Sequence, residues 1–179
     1  MAFTPIFKMP KTPVFDLYLK KEKFKHVINL YDGDMNLRAL IIQEKETSEE
    51  LKASYVRTAE LNYGHWRSAI RSHPEKGPEL TDATKSVAKL IKEQILNPRG
   101  EKLKGNILIH CGGGMHRTGM IMGLLMRVIN KSPRQLIIDT YKYHTGYRGK
   151  NTPGGFEQGN LDFIFNFDPD LLISKTPEQ

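Results

Sequence analysis

The stretch "NILIHCGGGMHRTGM", residues 106–120, holds the only cysteine of this 179-residue chain. "NILI", 106–109, reads as a short apolar strand, and "TGMIMGLLMRVI", 118–129, is apolar nearly all round and reads as a buried helix. A strand, a tight turn and a helix in succession aim backbone N–H groups into one concavity at the helix N-terminus, a ready site for a phosphate dianion. Gly112, Gly113 and Gly114 permit the positive backbone angles and close approach that such a turn needs. Arg117 can clamp two phosphoryl oxygens through its planar fork, which a lysine cannot match. The same amides, helix dipole and guanidinium would stabilise a thiolate at Cys111, the form in which sulfur is a nucleophile. A lone cysteine is ordinarily a small buried hydrophobe, and a glycine-rich turn alone says little. What points to chemistry is the conjunction: Cys111 and Arg117 separated by five residues, with a hydroxyl at Thr118 directly after.

Outward from this stretch, helices and strands alternate. "HVINLY", 26–31, is a β-branched run halted by "DGD" and reads as a buried strand. Thr47 and Glu50 have capping-box spacing, and Leu51, Tyr55 and Ala59 follow at helical intervals, which predicts a helix over 48–61. Residues 63–79 lack periodicity and read as an irregular functional loop. Thr81 and Asp82 open a helix with Val87, Leu90, Ile91 and Ile95 on one face, stopped by "NPRG". Ser132 and Pro133 start another, running to about Tyr143, and "LDFIFNF" is a short helix or a terminal strand. Residues 1–15 are punctuated by prolines and read as extended. The whole predicts one α/β domain with a central, mostly parallel sheet flanked by helices.

Lys and Arg number 27 against 20 acids, a net charge of +7. Such a surface favours anionic partners, namely phosphorylated groups, acidic lipid headgroups or nucleic acid, although it also serves solubility. The clusters Lys20, Lys21, Lys23 and Lys25, then Arg99, Lys102 and Lys104, then Lys142, Arg148 and Lys150 are too short for a nucleic-acid-binding tail. No apolar run reaches the roughly 18 residues of a membrane span. "MAFTPIFKMPKTPVF" lacks the apolar core and cleavage site of a secretory signal, and one cysteine forms no internal disulfide. A cytoplasmic protein is the expectation.

"HCGGGMHRTG", 110–119, resembles the H-C-x5-R-[S/T] signature of the cysteine-dependent protein tyrosine and dual-specificity phosphatases. "FKHVINLYD", 24–32, the apolar helix after the loop and "SPRQLIIDTYKYHTGYRG", 132–149, are also similar, so the resemblance spans about 24–166. The chain's short length favours the compact dual-specificity branch. The resemblance implies a phosphatase domain that needs no metal or other cofactor, and a monomer is the expectation. Cys111 would attack phosphorus to give a phosphocysteine, which water then hydrolyses. Arg117 would bind the phosphate, and backbone amides of Gly112, Gly113, Gly114, Met115, His116 and Arg117 would cradle its oxygens. Thr118 would hydrogen-bond the Cys111 sulfur and help it leave, and His110 would position the loop and favour the thiolate. His110 and His116 suggest a metal pair only superficially, because nothing else in the loop completes a ligand set.

In that family a general acid, usually an aspartate a few dozen residues before the cysteine, protonates the leaving oxygen. Between Asp34 and Cys111 the only aspartate is Asp82, at a predicted helix start. Glu75 in "SHPEKGP" is the leading substitute, with His73, Glu79, Asp32 and Asp34 behind it. Gln158 loosely matches a glutamine that orients the hydrolytic water in some relatives. Trp66 and Arg67 could line the pocket mouth, while Tyr147, Arg148 and Lys150 could bind remoter charges of a substrate. Asp139 reads as a structural carboxylate beside a cation. The substrate expected from the resemblance is a phosphoprotein. A phosphoinositide or inositol phosphate, an RNA 5′-phosphate, and phosphate binding without turnover remain open. A thiol-based reductase would need a second cysteine, which this chain lacks.

Overall fold

A computed structural model describes residues 3–6, 24–32, 38–72, 78–96, 106–112 and 114–173. The elements are β1 (Phe3–Ile6), β2 (Phe24–Asn29), α1 (Arg38–Glu50), β3 (Ser54–Arg57), α2 (Trp66–Ser72), α3 (Pro78–Leu90), β4 (Asn106–His110), α4 (Arg117–Leu124), α5 (Arg134–Thr145) and α6 (Gln158–Asn166). Both α3 and α4 continue into wider π-helical turns, Ile91–Leu96 and Leu125–Ile129. The four strands form one sheet in the order β1-β4-β2-β3, and every neighbouring pair is parallel.

Parallel strands need long crossovers, so helices cover the sheet and its inner strands are apolar on both faces. In β4, Ile107 and Ile109 enter the larger core with Ile28, Leu90, Ile91, Met120, Leu124 and Ile164, whereas Leu108 packs with Phe24, Val27 and Ala53. β4 lies between β1 and β2, and Leu30 N–H donates to His110 O at 2.7 Å just beyond the paired residues. The C-terminal end of this central strand delivers Cys111. Behind the loop, α4 packs closely: a Cβ on Gly119 would stand 3.1 Å from the Tyr141 ring, and one on Gly123 would run into Ile164.

The helix expected over 48–61 is not there. The helix in this region is α1, which ends at Glu50, and residues 54–57 form β3 against β2. Lys52 takes φ 56°, with Lys52 N–H bonding Glu49 O (3.1 Å) and Ala53 N–H bonding Ser48 O (2.8 Å), the pattern that caps a helix C-terminus. Thr47 and Glu50 therefore close a helix instead of opening one. Residues 63–79 are not wholly irregular either, because α2 places Trp66 and Ile70 in the core four residues apart. The face of α3 carrying Val87 and Leu90, continued by Ile91 and Ile95, is buried as expected, and "LDFIFNF" takes the helical alternative. Among the described residues no helix is long and apolar enough to cross a membrane.

Candidate active site

Cys111 is buried where β4 ends, and its sulfur accepts two hydrogen bonds, from Gly114 N–H at 3.1 Å and from Thr118 Oγ1 at 3.2 Å. Thr118 sits in the first turn of α4, so the loop and the helix each donate to the sulfur. Gly114 has φ 69°, a left-handed conformation that favours glycine. Gly112 must be glycine for another reason: a Cβ there would lie 2.8 and 2.9 Å from Cδ2 and Cε2 of Tyr31. Gly113 lies outside the described residues. Met115 rests against Gly155, so the segment after α5 abuts the loop.

Arg117 opens α4 and its Nη2 donates to Asp32 Oδ1. Its Nε is buried and finds no hydrogen-bond partner among the described residues. Beneath the loop, His110 is fully buried, with Nδ1 3.4 Å from Cys111 O and Nε2 3.3 Å from Glu44 Oε2, off the angle of a hydrogen bond. Glu44 reaches in from α1, accepting from Asn29 Nδ2 at 3.2 Å and from Tyr55 Oη at 3.1 Å. Burial, and then the Glu44 charge, raise the Tyr55 phenol far above its ordinary value, so it remains a donor.

A second polar group lies beside the loop. Arg67 on α2 donates to Asn160 Oδ1 at 3.1 Å and to Glu157 Oε2 at 2.6 Å. Asn160 Nδ2 is 3.2 Å from His116 Nδ1, and His116 Nε2 is 3.6 Å from Glu157 Oε1. Burial lowers the His116 pKa; the Glu157 charge opposes this, and Arg67, Arg71 and Arg117 reinforce it. Burial would raise Glu157, but its hydrogen bond and charge attraction to Arg67, with His116 and Arg71, bring it below the usual carboxylate value.

The acid candidates separate. Glu75, His73 and Asp34 lie outside the described residues, and Glu79 falls in the first turn of α3. Asp32 is the one candidate carboxylate that the described residues bring against Arg117. Gln158 is exposed and bonds Asp162 at 2.9 Å on its own helix. Trp66 is core, and Arg67 is a buried partner of Glu157 instead of a rim residue. Tyr147 stacks under Lys142, with Arg148 and Lys150 exposed nearby. Asp139 pairs with Gln135 at 2.8 Å, an amide where a cation was expected. Sequence reasoning missed Glu44, Asn29, Tyr31, Glu157 and Asn160. The i, i+3 spacing of Glu157 and Asn160 at a helix start is the one signal that could have paired the last two.

A buried thiol held by a loop amide and a helix hydroxyl, with an arginine opening the helix, defines a cysteine-based phosphate site on a parallel α/β sheet. The tyrosine phosphatase family model matches residues 8–153, and the chain belongs to that family. It is a cysteine-dependent phosphatase. Comparison with curated protein sequences gives no match. Among solved structures it is similar to the core catalytic domain of the PP-IP phosphatase SIW14 from S. cerevisiae, with a TM-score of 0.60 at 18% identity over 91% of this chain and 79% of that one. P. aeruginosa TpbA aligns with a TM-score of 0.50 at 16% identity, over 93% of this chain and 82% of that one. At these identities the likeness is one of fold.

Proposed function

We propose that the chain hydrolyses phosphate monoesters through a phosphocysteine, without a metal. The Cys111 thiolate attacks phosphorus in line, forming an S–P bond as the ester P–O bond breaks, and the leaving oxygen takes a proton from a general acid. Water then attacks phosphorus, giving its proton to the same group, now a base, and the S–P bond breaks to return the thiolate and release inorganic phosphate. The observation that carries this reading is the pair of donors on the Cys111 sulfur, Gly114 N–H and Thr118 Oγ1, which favour sulfur as an anion. Arg117, whose Nε has no hydrogen-bond partner among the described residues, and the amides of residues 112–117 would hold the phosphoryl oxygens. His110, backed by Glu44, would fix the carbonyl of Cys111 and hence the loop. Glu75 is the proposed acid, with His73, Glu79, Asp34 and Asp32 as its rivals.

Phosphotyrosine or phosphoserine/threonine in proteins is the leading substrate class. A polyphosphorylated inositol is the second. Its support is the net charge of +7, the fold likeness to a PP-IP phosphatase, and the fact that an anhydride needs less help from an acid. RNA 5′-phosphates stand behind both. One thiol without a partner suits a reducing, cytoplasmic compartment, and we take the domain to act as a monomer.

The test is turnover of a small aryl phosphate by the native chain, Cys111→Ser and Arg117→Ala. Activity that survives Cys111→Ser overturns the mechanism. Phosphate binding without turnover in the native chain would mean a binding module. Phosphopeptides, inositol phosphates, phosphoinositides and triphosphate-ended RNA then separate the substrate classes, and RNA binding should weaken steeply with salt.

A further inference from the structure

Four side chains from three segments of the chain close a ring beside the loop. Arg67 forks to Asn160 and Glu157, Asn160 reaches His116 Nδ1, and His116 Nε2 faces Glu157. Asn160 and Arg67 are buried, while the side chains of His116 and Glu157 are 30% and 31% exposed. The donor inventory settles where the protons lie. A guanidinium only donates, so Asn160 must present Oδ1 to Arg67. Its amide hydrogens then go to Tyr141 Oη, at 2.9 Å, and to His116 Nδ1. Nδ1 is therefore the acceptor, and Nε2 carries the hydrogen, directed at Glu157. With this one neutral tautomer the Arg67–Asn160, Arg67–Glu157 and Asn160–His116 junctions are hydrogen-bonded, and Nε2 faces Glu157 Oε1 at 3.6 Å. A proton on Nδ1 would set N–H against N–H, and Asn160 cannot turn without opposing its own amide hydrogens to Arg67.

His116 directly precedes Arg117, and its carbonyl accepts from Met120 N–H at 2.9 Å in the first turn of α4. A displaced His116 therefore displaces the start of the helix that carries Arg117 and Thr118. We propose that Arg67, Glu157 and Asn160 are positioning residues that hold His116 neutral and, through it, hold the loop in its phosphate-binding shape. Protonation of His116 opens the ring and releases the loop. This rests on the phosphatase reading of the loop. The charged groups facing His116 are Glu157 at the start of α6, Arg67 and Arg71 on α2, and Arg117 on α4, with Tyr141 of α5 behind Asn160. Their balance lowers the His116 pKa, in keeping with the neutral tautomer.

Asn160→Asp puts a carboxylate oxygen where Nδ2 now donates, so it accepts from Nδ1–H and favours the imidazolium. The His116 imidazole of the full chain is titrated by NMR, native and variant, and kcat/KM for an aryl phosphate and the affinity for inorganic phosphate are followed over the same pH range. The His116 midpoint should rise by about one unit, tenfold in proton affinity, and the acid limb of both curves should move up with it. A midpoint that stays put overturns the tautomer assignment, and a limb that stays put while the midpoint moves overturns the positioning role. Arg67→Lys is the second variant, because it keeps the charge but cannot fork to both partners. With its fold checked by circular dichroism, it should lose about tenfold in phosphate affinity, about one unit's worth of interaction. Unchanged affinity there contradicts the proposal. Should aryl phosphate turnover survive Cys111→Ser, the phosphatase reading fails, while the NMR titration still reports on the ring.

Discussion

Thr118→Val tests what the helix hydroxyl does for the sulfur. Valine keeps the shape of threonine in a buried first turn and removes one of the two donors on Cys111 Sγ, the 3.2 Å bond from Oγ1, leaving the 3.1 Å bond from Gly114 N–H. A hydrogen bond to a charged group contributes about 1.5–3 kcal/mol. At about 1.4 kcal/mol per factor of ten, its loss is worth about 10- to 150-fold in whichever step develops charge on sulfur. In the proposed mechanism that step is the second, in which the S–P bond breaks and the thiolate leaves. Attack by a thiolate already formed discharges sulfur, so above the thiol pKa the first step gains nothing from the bond. Rapid-quench kinetics on nitrophenyl phosphate should therefore show kcat reduced by that factor, with a burst of nitrophenol close to one per active site before slow turnover. The phosphorylated protein should be trappable in that phase. An unchanged kcat refutes the reasoning, and so does a loss of kcat with no burst, which would place the damage in loop geometry.

Three further outcomes are expected. Gly112→Ala forces the new methyl onto the Tyr31 ring, 2.8 Å from Cδ2, and overpacking of this kind costs about 1–3 kcal/mol. Phosphate affinity should fall, and Tyr31→Ala in the same chain should recover part of it; no recovery would mean that Tyr31 is not the obstacle. Glu75→Gln should lower kcat about 100- to 10,000-fold on an alkyl phosphate and much less on nitrophenyl phosphate, whose leaving group needs no proton. Equal losses on both would deny Glu75 the role of acid. Stability measured by urea unfolding should fall on acidification. Both His116 and Glu157 have folded pKa values below their ordinary 6.5 and 4.5, so the unfolded chain binds more protons in each window. Their contributions are complete above those ordinary values and are lost as pH drops through them toward the folded ones. A rise in stability over that interval contradicts both assignments.

The loop was legible because everything in it is local. A strand, three glycines, an arginine and a hydroxyl within 106–120 imply their own geometry, and the structure places Cys111, Gly114, Arg117 and Thr118 accordingly. Helix α1 was illegible because its buried residues are Glu44, Thr47 and Ser48, which give no apolar period. Glu44 is polar because it meets Asn29, Tyr55 and His110, partners on three strands that no sequence window contains, while Ser48 Oγ bonds Glu44 O within the helix. β3 was misread as helix for the same reason: Tyr55 and Val56 find their strand partner only across the sheet, in β2.

By itself, then, the sequence determined the strand–turn–helix that carries Cys111 and Arg117, the α/β layering and the place of the loop, because those follow from neighbours close along the chain. The tertiary structure decided what stands around them. Asp32 meets Arg117 across 85 residues, and Arg67 reaches Glu157 and Asn160 across 90 and 93. Such pairings are set by how the crossovers return each segment to the end of β4, and hydrogen bonds formed over those separations leave no periodicity in the chain.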